Sequence, residues 1–148
     1  MLAEVAAIAK FALGTCDAAL YTDNIPEGMK IPALYISAPT VSDAVDTTTT
    51  YQKQYVLSIK VFHTDTPQAF DLAEVIADEI RNRRSLIPLV NEAGEPNGQS
   101  LRIEQTDVKT VDTGVAQLTI KWRSRYHYHR EAGTTVQRVT VTGKVKDW

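Results

Sequence analysis

The clearest pattern of hydrophobic and polar positions lies in residues 49–65, TTYQKQYVLSIKVFHTD. Apolar and polar side chains alternate there, which is typical of a strand with one buried face. The apolar face would hold Tyr55, Leu57, Ile59 and Val61. Because the segment exceeds the usual length of about five or six residues for a strand, we expect part of it to project beyond the sheet as a hairpin arm.

Residues 64–84, TDTPQAFDLAEVIADEIRNRR, have the period of an amphipathic helix. We expect Thr66 to cap this helix and Pro67 to occupy its first position, where a missing N–H is harmless. Acidic residues fill its first two-thirds and arginines its end, an order that complements the helix dipole. Its apolar stripe is expected to pack on the apolar face of the 49–65 strand, and consists of Ala69, Leu72, Ala73, Ile76 and Ile80.

The N-terminal half outside these segments predicts weaker elements. An amphipathic helix is expected at the start, with Gly14 as its stop. Short strands are expected at 18–22 and 31–37. Residues 38–50, APTVSDAVDTTTT, are small, acidic and rich in threonine, and we interpret them as an exposed loop that turns into a strand near Thr49.

The C-terminal half predicts a long connection followed by strands. The connection covers 87–100 and contains several glycines and prolines. Two strands at 100–111 and 114–130 are joined through Asp112-Thr113-Gly114, a hairpin signal. A further β-rich segment follows at 134–148, which either completes its own sheet or adds a strand to the exposed sheet edge of a neighbour.

The order of these elements predicts an α+β fold in one domain covering residues 1–148. We expect a mostly antiparallel β-sheet with two helices packed on one face. A β-hairpin and a C-terminal β-arm at 134–148 would extend from it.

Composition narrows the classes of function. The chain has 148 residues and a net charge of −2, whereas phosphate binding needs clustered basic residues. Cys16 is its single cysteine, so no internal disulfide or paired-cysteine metal site can form. Glu4 and Lys10 interrupt the apolar N-terminus, which favours a helix over a signal peptide or a membrane span. We expect no cofactor, no catalytic residue and no membrane partner.

The segment RYHYHRE at 125–131 holds the most specific candidate chemistry. His127 and His129 lie two residues apart and would share a strand face, as a metal-binding pair can. A third ligand would have to be His63, at the end of another strand, and the nearby Arg123 and Arg125 disfavour a cation. Tyrosine and arginine are enriched at protein interfaces, which favours a strand leaving the core for an interface over a metal or nucleic-acid site.

The sequence resembles the tail terminator, or tail completion, proteins of long-tailed bacteriophages and phage-tail-like particles. The resemblance covers most of the chain and follows the order of its segments. An apolar N-terminal helix precedes a short strand, IPALYIS, and an acidic loop. A long strand then runs into a capped helix, YQKQYVLSIKVFHTDTPQAFDLAEVIADEIRNRR, and a hairpin closes the pattern, LRIEQTDVKTVDTGVAQLTIKWRSRYHY.

The resemblance implies a structural protein that is not an enzyme. Such a subunit forms a homo-oligomeric ring, commonly a hexamer, on the head-proximal end of the tail tube. It stops polymerisation of the tube protein and binds the head–tail connector or neck protein, with the sheath as a further partner in a contractile tail. DNA passes through the ring without specific binding. The implied location is the virion tail, assembled in the bacterial cytoplasm; a connector or neck completion protein is the alternative.

The residues expected at subunit or tube interfaces follow from this resemblance. The acidic loop would contribute Asp43 and Asp46. The end of the long helix would contribute Arg81, Arg83 and Arg84, which would pair head-to-tail with acidic residues of the next subunit. The strand end would contribute Arg123, Arg125, Tyr126, His127, Tyr128 and His129.

Overall fold

The computed structural model describes residues 2–22 and 24–129. Two helices and eight strands follow one another in these residues: α1 Ala3–Thr15, β1 Ala19–Tyr21, β2 Ala33–Ile36, β3 Thr40–Val45, β4 Thr50–Phe62, α2 Thr66–Asn82, β5 Leu86–Val90, β6 Pro96–Arg102, β7 Gln105–Asp112 and β8 Val115–His127. The C-terminal arm expected at 134–148 lies outside the described residues.

The main sheet is built around the antiparallel pair of β4 and β8. These strands pair along their whole length, from Thr50 opposite His127 to Phe62 opposite Val115. Strand β7 lies beside β8, while β2 and β3 both lie beside β4 and share its length between them. Strand β1 adds to β2 in parallel, and β5 and β6 form a separate hairpin.

The hydrophobic core lies between one face of this sheet and the helices. The inward-facing residues of the central pair have no exposed surface; they are Leu57, Ile59, Val61, Ala116, Leu118 and Ile120. Helix α2 packs on β8, β7 and β4, and α1 packs on β5 and α2. Burial of each large side chain stabilises the fold by about 1.5–3 kcal/mol. The predicted α+β class, with two helices and a mostly antiparallel sheet, is confirmed.

The start of α2 differs by one residue from the prediction. Asp65 caps the helix, and its carboxylate accepts the backbone N–H of Gln68 at 2.9 Å. Thr66 is instead the first helical residue, and its hydroxyl oxygen accepts the N–H of Gly114 at 3.0 Å. The threonine therefore ties the helix to the β7–β8 turn rather than to its own first turn.

Residues 38–50 are not the loop that their composition predicts, because strand β3 occupies Thr40–Val45. All six of its residues pair with β4, from Thr40 opposite Val56 to Val45 opposite Tyr51. Most of the strand is exposed on both faces. No buried face therefore imposes a hydrophobic period on its sequence, and hydrogen bonds to β4 hold it instead.

The connection expected at 87–100 is also wrong, because this stretch forms most of the β5–β6 hairpin. Its turn is closed by Asn91, whose side-chain oxygen accepts the N–H groups of Ala93 and Glu95. The β6 sequence, PNGQSLR, is polar and mostly exposed, so its pairing has no hydrophobic pattern to predict it.

The predicted turn at Asp112-Thr113-Gly114 is confirmed, and Gly114 has a strict requirement for glycine. Its φ is +70°, and an added Cβ would lie 2.8 Å from the carbonyl oxygen of His63. Because the obstacle is backbone, the close approach cannot be relieved by a rotamer change.

We expect Gly114→Ala to destabilise the protein at least twice as much as Gly98→Ala, measured by urea unfolding. Gly98 has a similar φ of +88° but open space around its Cα, so alanine there costs only the left-handed conformation, about 1–2 kcal/mol. Equal losses of unfolding free energy in the two variants would show that the contact with His63 is unimportant.

Candidate interface surface

The long central strands project beyond their neighbours as a three-stranded arm. Strand β2 stops pairing at Ile59 and β7 stops at Lys121, which lies opposite Val56. The arm is formed by β3, residues 50–56 of β4 and residues 121–127 of β8. It is the projection expected from the length of 49–65, with β3 as an additional strand.

The base of the arm is anchored by a buried aromatic pair. The rings of Tyr55 and Trp122 stack at 5.1 Å between centroids, and both side chains are buried. The hydroxyl group of Tyr55 lies 2.8 Å from that of Tyr126. Burial contributes most to raising the pKa of Tyr55, and the hydrogen bond with Tyr126 raises it further. The helix side of the sheet therefore continues into the arm as a rigid aromatic surface.

Beyond this base, exposed and half-buried apolar side chains surround Asp43 and Lys53 on the same face of the arm. We call these apolar residues the aromatic patch: Val41, Val45, Tyr51, Tyr126 and Tyr128. Tyr51 lies 5.6 Å from Tyr126 and 5.1 Å from Tyr128 between ring centroids. Val45 is 84% exposed and Tyr128 is 48% exposed. The ammonium group of Lys53 lies over the ring of Tyr126. Apolar groups gathered on a projecting element are typical of a contact surface.

The opposite face of the arm is polar and is held by Asp46. Its carboxylate accepts hydrogen bonds from Thr50 at 2.8 Å and Gln52 at 3.0 Å, and forms an ion pair with Arg125. The hydrogen bond from Thr50 contributes most to lowering the pKa of Asp46, and Gln52 and Arg125 lower it further. Asp46 thus links the end of β3 across β4 to β8.

Arg123 makes a second link on this polar face. Its guanidinium forms an ion pair with Glu104, just before β7, and lies 3.4 Å from the side-chain oxygen of Gln52. The hydrogen bond and charge of Glu104 raise the pKa of Arg123. Asp46, Arg123 and Arg125 therefore have partners within the chain, and these contacts fix the geometry of the arm.

The structure brings together most residues predicted for an interface. Two acidic residues and the strand end lie on the arm or directly beside its tip: Asp43, Asp46, Arg123, Arg125, Tyr126, His127, Tyr128 and His129. Arg81, Arg83 and Arg84 lie elsewhere, at the end of α2. Arg81 pairs with Asp78 and Arg83 with Glu79, so two of the three arginines already have a local partner.

The three histidines do not meet. His127 lies opposite Thr50 at one end of β4, whereas His63 follows the other end. The length of β4 separates them by about 40 Å, at about 3.3 Å per residue. Within residues 2–22 and 24–129, no group of three histidine, cysteine or carboxylate residues has the arrangement of a metal site. The idea that His63 completes a site with His127 and His129 is therefore wrong.

Cys16 has the environment of a structural thiol. It is partly buried, and its Sγ donates to the carbonyl oxygen of Ala12 at 3.3 Å. Burial raises the pKa of the thiol, which disfavours the thiolate needed for nucleophilic attack. No helix in the described part of the chain is long and apolar enough to cross a membrane.

The sequence predicts Tyr126 and Tyr128 of the aromatic patch, but it does not predict β3 or the contribution of Val41, Val45 and Tyr51. Val41 and Val45 carry an alternation, but Asp43 stands between them on the same face. The alternation in residues 49–65 identifies the core residues of this strand and does not identify Tyr51. A signal was nevertheless present, since Tyr51, Tyr126 and Tyr128 are aromatic residues near the ends of two long strands that were both predicted.

Comparison with known proteins identifies relatives over the whole length of the chain. Phage-like element PBSX protein XkdJ of Bacillus subtilis (strain 168) is 36% identical over 146 residues, which cover 99% of this chain and 100% of XkdJ. The chain belongs to the XkdJ family. Uncharacterized protein YqbJ of the same organism is 37% identical over 127 residues, covering 86% of this chain and 87% of YqbJ.

Two other comparisons are less informative. No protein-family model matches the chain. A chain in the virion of a native gene transfer agent particle matches with a TM-score of 0.45 and 17% identity, covering 82% of this chain and 84% of that chain. This level of similarity is too low to support an argument.

We expect Asp46→Asn to flatten the pH dependence of stability at the acidic end. The pKa of Asp46 is lowered in the folded protein, so its charged contacts stabilise the fold fully above the ordinary value of about 3.9. That contribution is lost as the pH falls from about 3.9 through the folded pKa. Asp46→Asn removes this part of the curve of stability against pH. Asp43→Asn, a matched charge change on the other face of β3, retains it. Thermal unfolding between pH 2 and 6, a range of about four pH units, would measure the difference. Parallel curves for both variants would contradict the role of Asp46.

Proposed function

We propose that this chain is a structural protein of a phage tail that forms a ring on the head-proximal end of the tail tube. The observation that carries the proposal is its membership of the XkdJ family, because a protein of a phage-like element matches it from end to end. The ring stops polymerisation of the tube and provides the surface to which the head connector attaches. The resemblance of the sequence to tail terminators supports the same role.

The arm provides the binding surface that this role needs. Capping a tube and joining a connector require complementary surfaces and no catalytic step. The aromatic patch exposes valine and tyrosine side chains on one face of the arm, while Asp46 and Arg123 hold the strands in place from the other. Tyrosine contributes contact area at a low cost in conformational entropy, which suits an assembly surface.

The proposed partners are other copies of this chain, the tail tube protein and a neck or connector protein. A sheath protein is a further partner if the tail contracts. DNA passes through the ring without specific binding, in agreement with the net charge of −2. The chain acts as one domain, located in the virion tail after assembly in the bacterial cytoplasm.

Deletion of the gene for this chain in its host element is expected to give tail tubes of uncontrolled, excessive length. The free tube end then continues to polymerise, and electron micrographs of particles would measure tube length with and without a complementing copy. Tubes of normal length that fail to attach to heads would instead assign the chain to the neck. Complete tails attached to heads would contradict both roles.

The arginines at the end of α2 are proposed to contact the acidic part of α2 in the next subunit. Charge reversal of Arg81, Arg83 and Arg84 together should abolish the ring of about six subunits expected for a closed cyclic oligomer. Light scattering after size exclusion would measure the native mass. Lys109→Glu, a reversal at an exposed position on β7, is the control and should leave the mass unchanged. A ring that survives the triple reversal would remove these arginines from the interface.

A further inference from the structure

We propose that copies of this chain join by pairing β3 in one copy with the end of β8 in the next, at edges that no other strand of the described residues covers. The sheet would then continue from subunit to subunit through the arms. The inference rests on the proposed ring, and it specifies the contact that closes that ring. Three observations carry it: the direction of the backbone groups, the unprotected edge of β3, and the match between the two edges.

The backbone groups of β8 in the arm point alternately toward and away from β4. Tyr128 donates its N–H to Thr49 before β4, at 3.0 Å, whereas the carbonyl of Lys121 accepts the N–H of Glu104 on the opposite side, at 2.8 Å. Successive residues of a strand point to opposite sides. The backbone groups of Arg123, Arg125 and His127 therefore point away from β4, beyond the end of the pairing with β7.

The same alternation applies to β3. The backbone groups of alternate β4 residues point toward β8, and those of the residues between them point toward β3. Thr40, Ser42 and Ala44 lie opposite the second set and therefore form the hydrogen-bonded pairs with β4. The backbone groups of Val41, Asp43 and Val45 then point away from the sheet. In the described residues, β3 pairs with β4 alone.

The edge of β3 lacks the features that usually prevent edge pairing. The other two edge strands of the main sheet in the described residues do have such features. Strand β1 has only three residues, and β7 carries charged residues and an irregular register near Asp112. Strand β3 has six residues in regular register, with no proline or lysine and only one charged residue. A regular edge strand with few charges is a template for pairing with another chain.

The two edges of the arm match in side-chain character. Val41 and Val45 lie on the same face of the arm as Tyr126 and Tyr128, so apolar side chains would meet across the new contact. Charge does not decide the pairing, because Asp46 pairs with Arg125, and Arg123 with Glu104, within one copy.

The proposed contact is head-to-tail and not two-fold. Strands β3 and β8 are both antiparallel to β4 and therefore run parallel to each other. Joining β3 of one copy to β8 of the next uses two different surfaces, and such a contact gives a ring when the rotation between copies closes and an open filament when it does not. In the closed ring of the proposed function, each subunit uses both edges.

Disulfide trapping tests the contact directly, with Asp43→Cys and Ser124→Cys in one chain and Cys16→Ala to remove the native thiol. Both positions lie opposite Lys53 of β4, on its two sides, so within one copy their Cα atoms are separated by two strand spacings, about 10 Å. A disulfide needs Cα atoms within about 7 Å, so bonds between these positions can form only between copies. We expect a non-reducing gel to show a ladder at multiples of 16.4 kDa.

The controls make the outcome decisive. Each single-cysteine variant should give no species larger than a dimer. Absence of a ladder from the double variant overturns the edge pairing, whether the wild type is a ring or a monomer by light scattering. A wild-type ring without a ladder leaves the proposed function intact, whereas the tube-length experiment tests that function independently. A second double variant combines Asp43→Cys with Val139→Cys. If only this variant gives a ladder, the pairing with β8 is overturned and the partner of the β3 edge is residues 130–148 of a neighbour.

A backbone variant provides a second measurement. Asp43→Pro removes an N–H that points away from β4, so it should abolish assembly while keeping the ladder between β3 and β4. Asp43→Asn, which retains the N–H, is the matched control for the lost charge and should still assemble. Unchanged assembly in the folded proline variant, with folding checked by thermal unfolding, would overturn the proposal.

Discussion

The unbroken pairing of β4 with β8 is the interaction on which the rest of the structure depends. Each strand has 13 residues, and every residue of β4 faces one of β8. At one end, alternate residues of both strands form the core beneath α2. At the other end, the same alternation exposes tyrosines. The same alternation of side chains therefore runs along both strands from the hydrophobic core to the aromatic patch.

The arm is a consequence of unequal lengths. Helix α2 has 17 residues and is about 25 Å long, at about 1.5 Å per residue. Strand β4 spans about 40 Å, at about 3.3 Å per residue, so this helix cannot cover its whole inner face. The excess length explains why Tyr55 and Trp122 are buried at the base of the arm while Val45 and Tyr128 are exposed near its tip.

The sequence predicted those parts of the fold whose side chains alternate between core and solvent. The long strands, α2 and the turn at Gly114 have this pattern, because burial on one face fixes the positions of apolar residues. Strands β3 and β6 were missed because most of their residues are exposed, and backbone pairing leaves no period in an exposed sequence. For the candidate surface, the strand end at 123–129 was identified from its tyrosines and arginines. The contribution of β3 depends on its register with β4, and the residue types in this segment do not predict that register.

The polar face of the arm shows how contacts within the chain order an exposed sheet. Asp46 connects Thr50, Gln52 and Arg125, and Arg123 reaches Glu104, so contacts within the chain fix the strands of the arm relative to one another. A surface ordered in advance loses less conformational entropy on association. The same ion pairs neutralise Asp46, Arg123 and Arg125 beside the two edges of the arm. In the contact proposed between copies, backbone hydrogen bonds and apolar side chains would therefore supply the attraction, and charge would not.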